Sequence, residues 1–108
     1  MIKAAFYIRN GHYIGFSVTG HAGFEEEGHD IVCASVSALT VNTVNSLEKF
    51  TNDRVITEYC DDGMVKCKLT GNVSPEGELL IKSLRLGLCD IYKQYEDEYI
   101  RVFIREVN

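Results

Sequence analysis

The sequence predicts an α+β fold of two helices packed on a mostly antiparallel sheet, in the order ββαββαβ. Three observations carry it. Five short stretches alternate apolar with polar residues, the period of a half-buried strand. Two longer stretches repeat apolar residues every three to four positions, the period of a helix with one buried face. Asn10-Gly11 stands between the first two alternating stretches. That pair is a strong hairpin signal, because a type I′ turn needs positive φ at both central residues. Apolar helix faces need a surface to bury them, and the sheet supplies it.

Ile2, Ala4, Phe6 and Ile8 alternate with Lys3, Ala5, Tyr7 and Arg9, which predicts the first strand. His12 to Thr19 is the return strand, with Ile14, Phe16 and Val18 on one face. Gly20 to Gly28 breaks the pattern with three glycines and the run Glu25-Glu26-Glu27, and reads as an exposed, mobile loop. Asp30 is placed to cap the helix that follows. Val32, Val36, Leu39, Thr43, Leu47 and Phe50 then recur on one helical face. Ala34, Ala38 and Val41 make a second face, small and apolar, to be covered by the loop, another element or a second subunit. Asn52-Asp53 closes this helix.

Val55, Thr57 and Tyr59 alternate with Arg54, Ile56 and Glu58 in a third strand. Asp61-Asp62-Gly63 turns the chain into a fourth, where Val65, Cys67 and Leu69 alternate with Lys66 and Lys68. Ser74-Pro75-Glu76 opens the second helix with three agreeing signals: a capping serine, proline at the first helical position and early acids. Leu80, Leu84, Leu88, Ile91 and Tyr95 share its apolar face. Ile100, Val102 and Ile104 alternate with Arg101, Phe103 and Arg105 in the last strand.

The 108 residues suit a single domain, 1–108, with one modest core. Eleven basic against sixteen acidic residues give a net charge of −5. That balance disfavours general binding to nucleic acid, whose phosphates call for Lys and Arg, so no direct nucleic-acid partner is expected, and it suits attraction of a basic protein. The first apolar run is too short and too alternating for a signal peptide. The segment from Ile31 to Val41 is about half the length of a bilayer span. The expected compartment is therefore the cytoplasm, with no membrane partner. Cys33, Cys60, Cys67 and Cys89 show no zinc-ligand spacing, and free thiols fit a reducing compartment. No metal or organic cofactor is called for.

Reactive residue types concentrate between Gly20 and Ala34. Cys33 falls in the first turn of the predicted helix, where unpaired N–H groups and the helix dipole favour a thiolate. A nearby imidazole would take the thiol proton and later protonate a leaving amine. His21 and His29 are the candidates, and Asp30 opposes a thiolate unless it caps the helix or orients a histidine. A lone cysteine on an apolar helix is ordinarily a small core residue, and a histidine in a glycine-rich loop is ordinarily solvated. Spacing alone leaves these readings open.

The stretch Gly20-His21-Ala22, followed by Gly28-His29-Asp30-Ile31-Val32-Cys33-Ala34 and Ser37-Ala38-Leu39, resembles the signature of the ribosomal-processing cysteine protease family, Prp. Length, element order and the late Glu98-Tyr99-Ile100-Arg101 stretch fit the same family. The resemblance implies a cysteine endopeptidase that removes an N-terminal extension from the twenty-seventh protein of the large ribosomal subunit, cutting after an aromatic residue. It implies Cys33 as nucleophile and His21 as its proton-transfer partner, with Asp30 at an acidic position that caps or orients. It also implies a homodimer whose loop between His and Cys closes over substrate. The alternative is a non-catalytic binding module or chaperone for the same basic ribosomal protein.

Overall fold

The computed structural model describes residues 1–20, 29–59, 65–95 and 99–108, with the backbone but not the side chains of 29 and 30. Strands β1 (Ile2–Arg9) and β2 (His12–Thr19) form the expected hairpin, closed by Asn10 at φ 51° and Gly11 at φ 80°. Helix α1 spans His29–Phe50, β3 Arg54–Tyr59, β4 Val65–Thr70, α2 Pro75–Tyr95 and β5 Ile100–Glu106. The order is the ββαββαβ read from the sequence. The turn at 60–64 lies outside the described residues.

The five strands make one sheet in the order β3-β4-β2-β1-β5, antiparallel except for the β1–β5 pair. Each helix therefore bridges two parallel but non-adjacent strands. Helix α1 carries the chain from β2 past β4 to β3, and α2 carries it from β4 past β2 and β1 to β5. These crossovers run in opposite directions from antiparallel starting strands, so the right-handed rule puts both helices on the same face. Among the described residues, the other face of the sheet has no helix over it.

Between the helices and the sheet lies the core. Phe6 and Phe16, cross-strand partners with ring centroids 6.2 Å apart, are fully buried, as are Ile2, Val18, Ile81 and Leu88. Alternation predicts Ile14 on this face, but the hairpin register shifts between Tyr7 and Ile8. Ile8 pairs with Tyr13 and Tyr7 with Gly15, so one extra residue sits on β2. A bulge of this kind reverses the parity of every residue beyond it. Tyr13 consequently enters the core cluster, 6.4 Å from the Phe6 ring, while Ile14 turns to the open face.

Helix α1 also departs from the expected stripe at its end. Val32, Val36 and Leu47 are fully buried as predicted, joined by Thr40 and Val44. Phe50, however, is 73% exposed. It is the last helical residue, and Thr51 turns its hydroxyl back to donate to Leu47 O at 2.6 Å, so the chain leaves the core before Phe50 faces it. The second small face is solvent-exposed at Ala34, Ala38 and Val41.

Helix α2 starts as the sequence signals. Ser74 Oγ accepts from Gly77 N–H at 2.9 Å, the N-cap bond. The same hydroxyl donates to Asp53 Oδ2 at 2.6 Å, and Ser74 N–H donates to Asp53 Oδ1 at 3.0 Å. Asp53 thus ties the start of β3 to the start of α2.

A second tie joins α2 to the hairpin. Glu78 accepts from His12 Nδ1 at 3.0 Å and from Tyr13 N–H at 2.9 Å, with Lys82 Nζ 3.8 Å away. Burial alone would push the Glu78 carboxyl up, but the bonds from His12 and Tyr13 and the Lys82 charge outweigh it, so its pKa lies below the usual value of 4.5. A depressed carboxylate pKa stabilises the fold above the unfolded value, and that contribution is lost as pH falls through the folded one. Glu78→Gln is therefore expected to cost about 1 kcal/mol at pH 7. Urea unfolding at progressively lower pH should show the gap between the two proteins closing below the usual carboxylate value of 4.5. A gap that persists in acid would show that the charge of Glu78 is not what matters.

Candidate active site

Three of the four cysteines fall within the described residues, all as reduced thiols. Their environments separate them. Cys67 is fully buried on β4, and burial pushes its thiol pKa up despite a weak hydrogen bond from Thr57 Oγ1 at 3.8 Å. A buried, protonated thiol is a packing residue. Cys89 is half-buried and stands in the C-terminal half of α2. It is remote from the unpaired N–H groups at the start of that helix, which would favour a thiolate.

Cys33 differs from both. It is half-buried near the N-terminal end of α1, packed against the rim of the core beside fully buried Val32 and Val36. Its other neighbours, Ile31 at 65% exposure and Ala34, face solvent. Cys33 therefore stands on the border between the buried stripe and the exposed apolar face. Ser35 Oγ donates to Ile31 O at 2.9 Å within the same turn.

The helix begins at His29, so Asp30 lies inside its first turn rather than ahead of it. An acid in the first turn complements the dipole whether or not it caps. Cys33 correspondingly opens the second turn, where the dipole is weaker than at the position expected from the sequence. His29 stands one turn before Cys33 along the helix. His21, the glutamate run and the side chains of His29 and Asp30 lie outside the described residues.

The backbone leading to His21 is described as far as Gly20, where it gives a physical reason for the glycine of the Gly-His pair. Gly20 has φ +83°, and a Cβ there would overlap the carbonyl oxygen of Met1. Ile2 N–H, the next group along, donates to Tyr99 O at 2.8 Å, so the start of β1 is fixed. Only glycine fits both the torsion and the space. Among the described residues, no group of three His, Cys, Asp or Glu side chains comes together to hold a metal ion, and no helix is long and apolar enough to cross a membrane.

Comparison with known proteins bears on this site. The model of the family described as Cysteine protease Prp matches residues 1–101. The ribosomal processing cysteine protease Prp of Bacillus subtilis (strain 168) is 31% identical over 105 residues, covering 90% of this chain and 92% of that protein. Two crystal structures of an essential ribosomal processing protease Prp from S. aureus superimpose closely. The one with a substrate peptide has a TM-score of 0.90 at 28% identity. The one with a covalently linked product peptide has a TM-score of 0.85 at 29% identity. Each covers 97% of this chain and 100% of the other.

Proposed function

Because this chain belongs to the cysteine protease Prp family and is a cysteine-type hydrolase, we propose that it processes a ribosomal protein precursor with Cys33 as nucleophile and His21 as its proton-transfer partner. The substrate in this reading is the twenty-seventh protein of the large subunit, cut after an aromatic residue of its N-terminal extension. The single observation that carries it is the half-buried position of Cys33 near the start of α1, within the family's motif. The covalently linked product peptide in the S. aureus relative is what a thiol nucleophile would leave.

The chemistry runs in two halves. The Cys33 thiolate attacks the scissile carbonyl carbon, and the amide nitrogen leaves with a proton from the His21 imidazolium. N–H groups near the start of α1 are available to stabilise the oxyanion. A water molecule, deprotonated by His21, then cleaves the thioester and restores the thiol. Asp30, in the first turn of α1, orients a histidine. The enzyme acts as a homodimer in the cytoplasm.

The test is to incubate the full chain with a synthetic peptide spanning the precursor junction and to weigh the products. Cleavage on the carboxyl side of the aromatic residue is the expected result. An intact peptide after long incubation, with measurable binding, would instead favour a binding module.

A further inference from the structure

The net charge of −5 hides an uneven distribution. Helices cover one face of the sheet, and the face with no helix over it among the described residues collects positive charge. Lys3, Arg9, Lys66, Lys68 and Arg105 line two adjoining depressions on it, of about 160 and 360 Å³, which share Tyr7 as a common wall. Arg54 and Arg101 occupy outward positions of the same face on the edge strands. Seven of the eleven basic residues thus lie on one surface, and Glu58, opposite Lys66, is the acid at its outward strand positions. None of the five lining cations forms an ion pair within the described residues.

Two aromatic rings lie among these charges. Tyr7 is half-buried, its hydroxyl 3.0 Å from Ser17 Oγ. Phe103, also half-buried, stands on the neighbouring strand opposite Ala5, with the Arg105 guanidinium 5.2 Å from its ring centroid. Cations would attract any polyanion. The rings discriminate, because an aromatic face carries negative potential that repels a carboxylate but stacks with a nucleobase. We infer that the open sheet face is a binding surface for single-stranded nucleic acid, with bases on Tyr7 and Phe103 and phosphates on the flanking cations. This surface is independent of the Cys33 site.

Fluorescence anisotropy with labelled oligouridine and oligothymidine of about 12 nucleotides tests it, a length within the span of known single-strand sites. Both should bind, with affinity falling as salt rises at a logarithmic slope between about −2 and −4. Tighter oligouridine binding would identify RNA as the ligand, and tighter oligothymidine binding would identify DNA. Lys66→Glu with Lys68→Glu should weaken binding by roughly tenfold or more. Phe103→Ala should weaken it by roughly five- to tenfold through lost stacking, with circular dichroism unchanged in both. Absence of salt-sensitive binding, affinity untouched by these variants, or equal competition by polyglutamate would overturn the inference.

Discussion

Cys33→Ala is expected to lower precursor cleavage by roughly a thousandfold or more, the usual cost of deleting a nucleophile that acts as part of a unit. The peptide should still bind, because the substitution removes a sulfur at the rim of the core and leaves the fold intact. The split matters: a loss in kcat with binding and melting temperature preserved marks a catalytic group, whereas joint loss marks unfolding. Cys67→Ala supplies the contrast. That thiol is fully buried on β4, so its loss should lower stability and leave the chemistry in place. His21→Ala should match Cys33→Ala in depth. His29 stands one turn before Cys33 on the same helix, so His29→Ala is the necessary partner experiment. Activity lost with His29→Ala and kept with His21→Ala would reverse the assignment, and full activity in Cys33→Ala would remove the dyad altogether.

Much of this architecture is legible in the sequence because its signals are local. Asn10-Gly11 fixes a turn through its own torsions, and Ser74-Pro75 fixes a helix start through its own hydrogen bonds. Alternation places the strands but fails at Ile14. Tyr13 and Ile14 are both apolar, so either parity satisfies the pattern, and the bulge opposite Tyr7 and Ile8 decides. The insertion of β1 between β2 and β5 is non-local, since each strand pattern is compatible with several neighbours. Phe50 misleads for a similar reason. Its spacing fits the buried stripe, but whether the chain continues past it depends on Thr51. At the site, the start of α1 is readable to within a turn, and with it the place of Cys33 near that start. The exposure of the apolar flank beside Cys33 is not, because it depends on what else packs there.

Gly20→Ala is expected to lower kcat/KM by about a hundredfold, the scale of a displacement of roughly an ångström in a reacting group. The residue has φ +83°, where an alanine is strained by about 1–2 kcal/mol, and its Cβ would overlap the Met1 carbonyl oxygen. That carbonyl cannot retreat freely, because the next residue, Ile2, is bonded to Tyr99 and paired with Ile100. The chain must therefore yield on the other side, toward His21. Gly11→Ala separates torsion from space. Gly11 has φ +80° but nothing within 4 Å of where a Cβ would stand, so its substitution carries the strain without the overlap. Urea unfolding should show both variants destabilised, while only Gly20→Ala loses activity. Equal activity in the two would mean that the close approach to Met1 does not position His21.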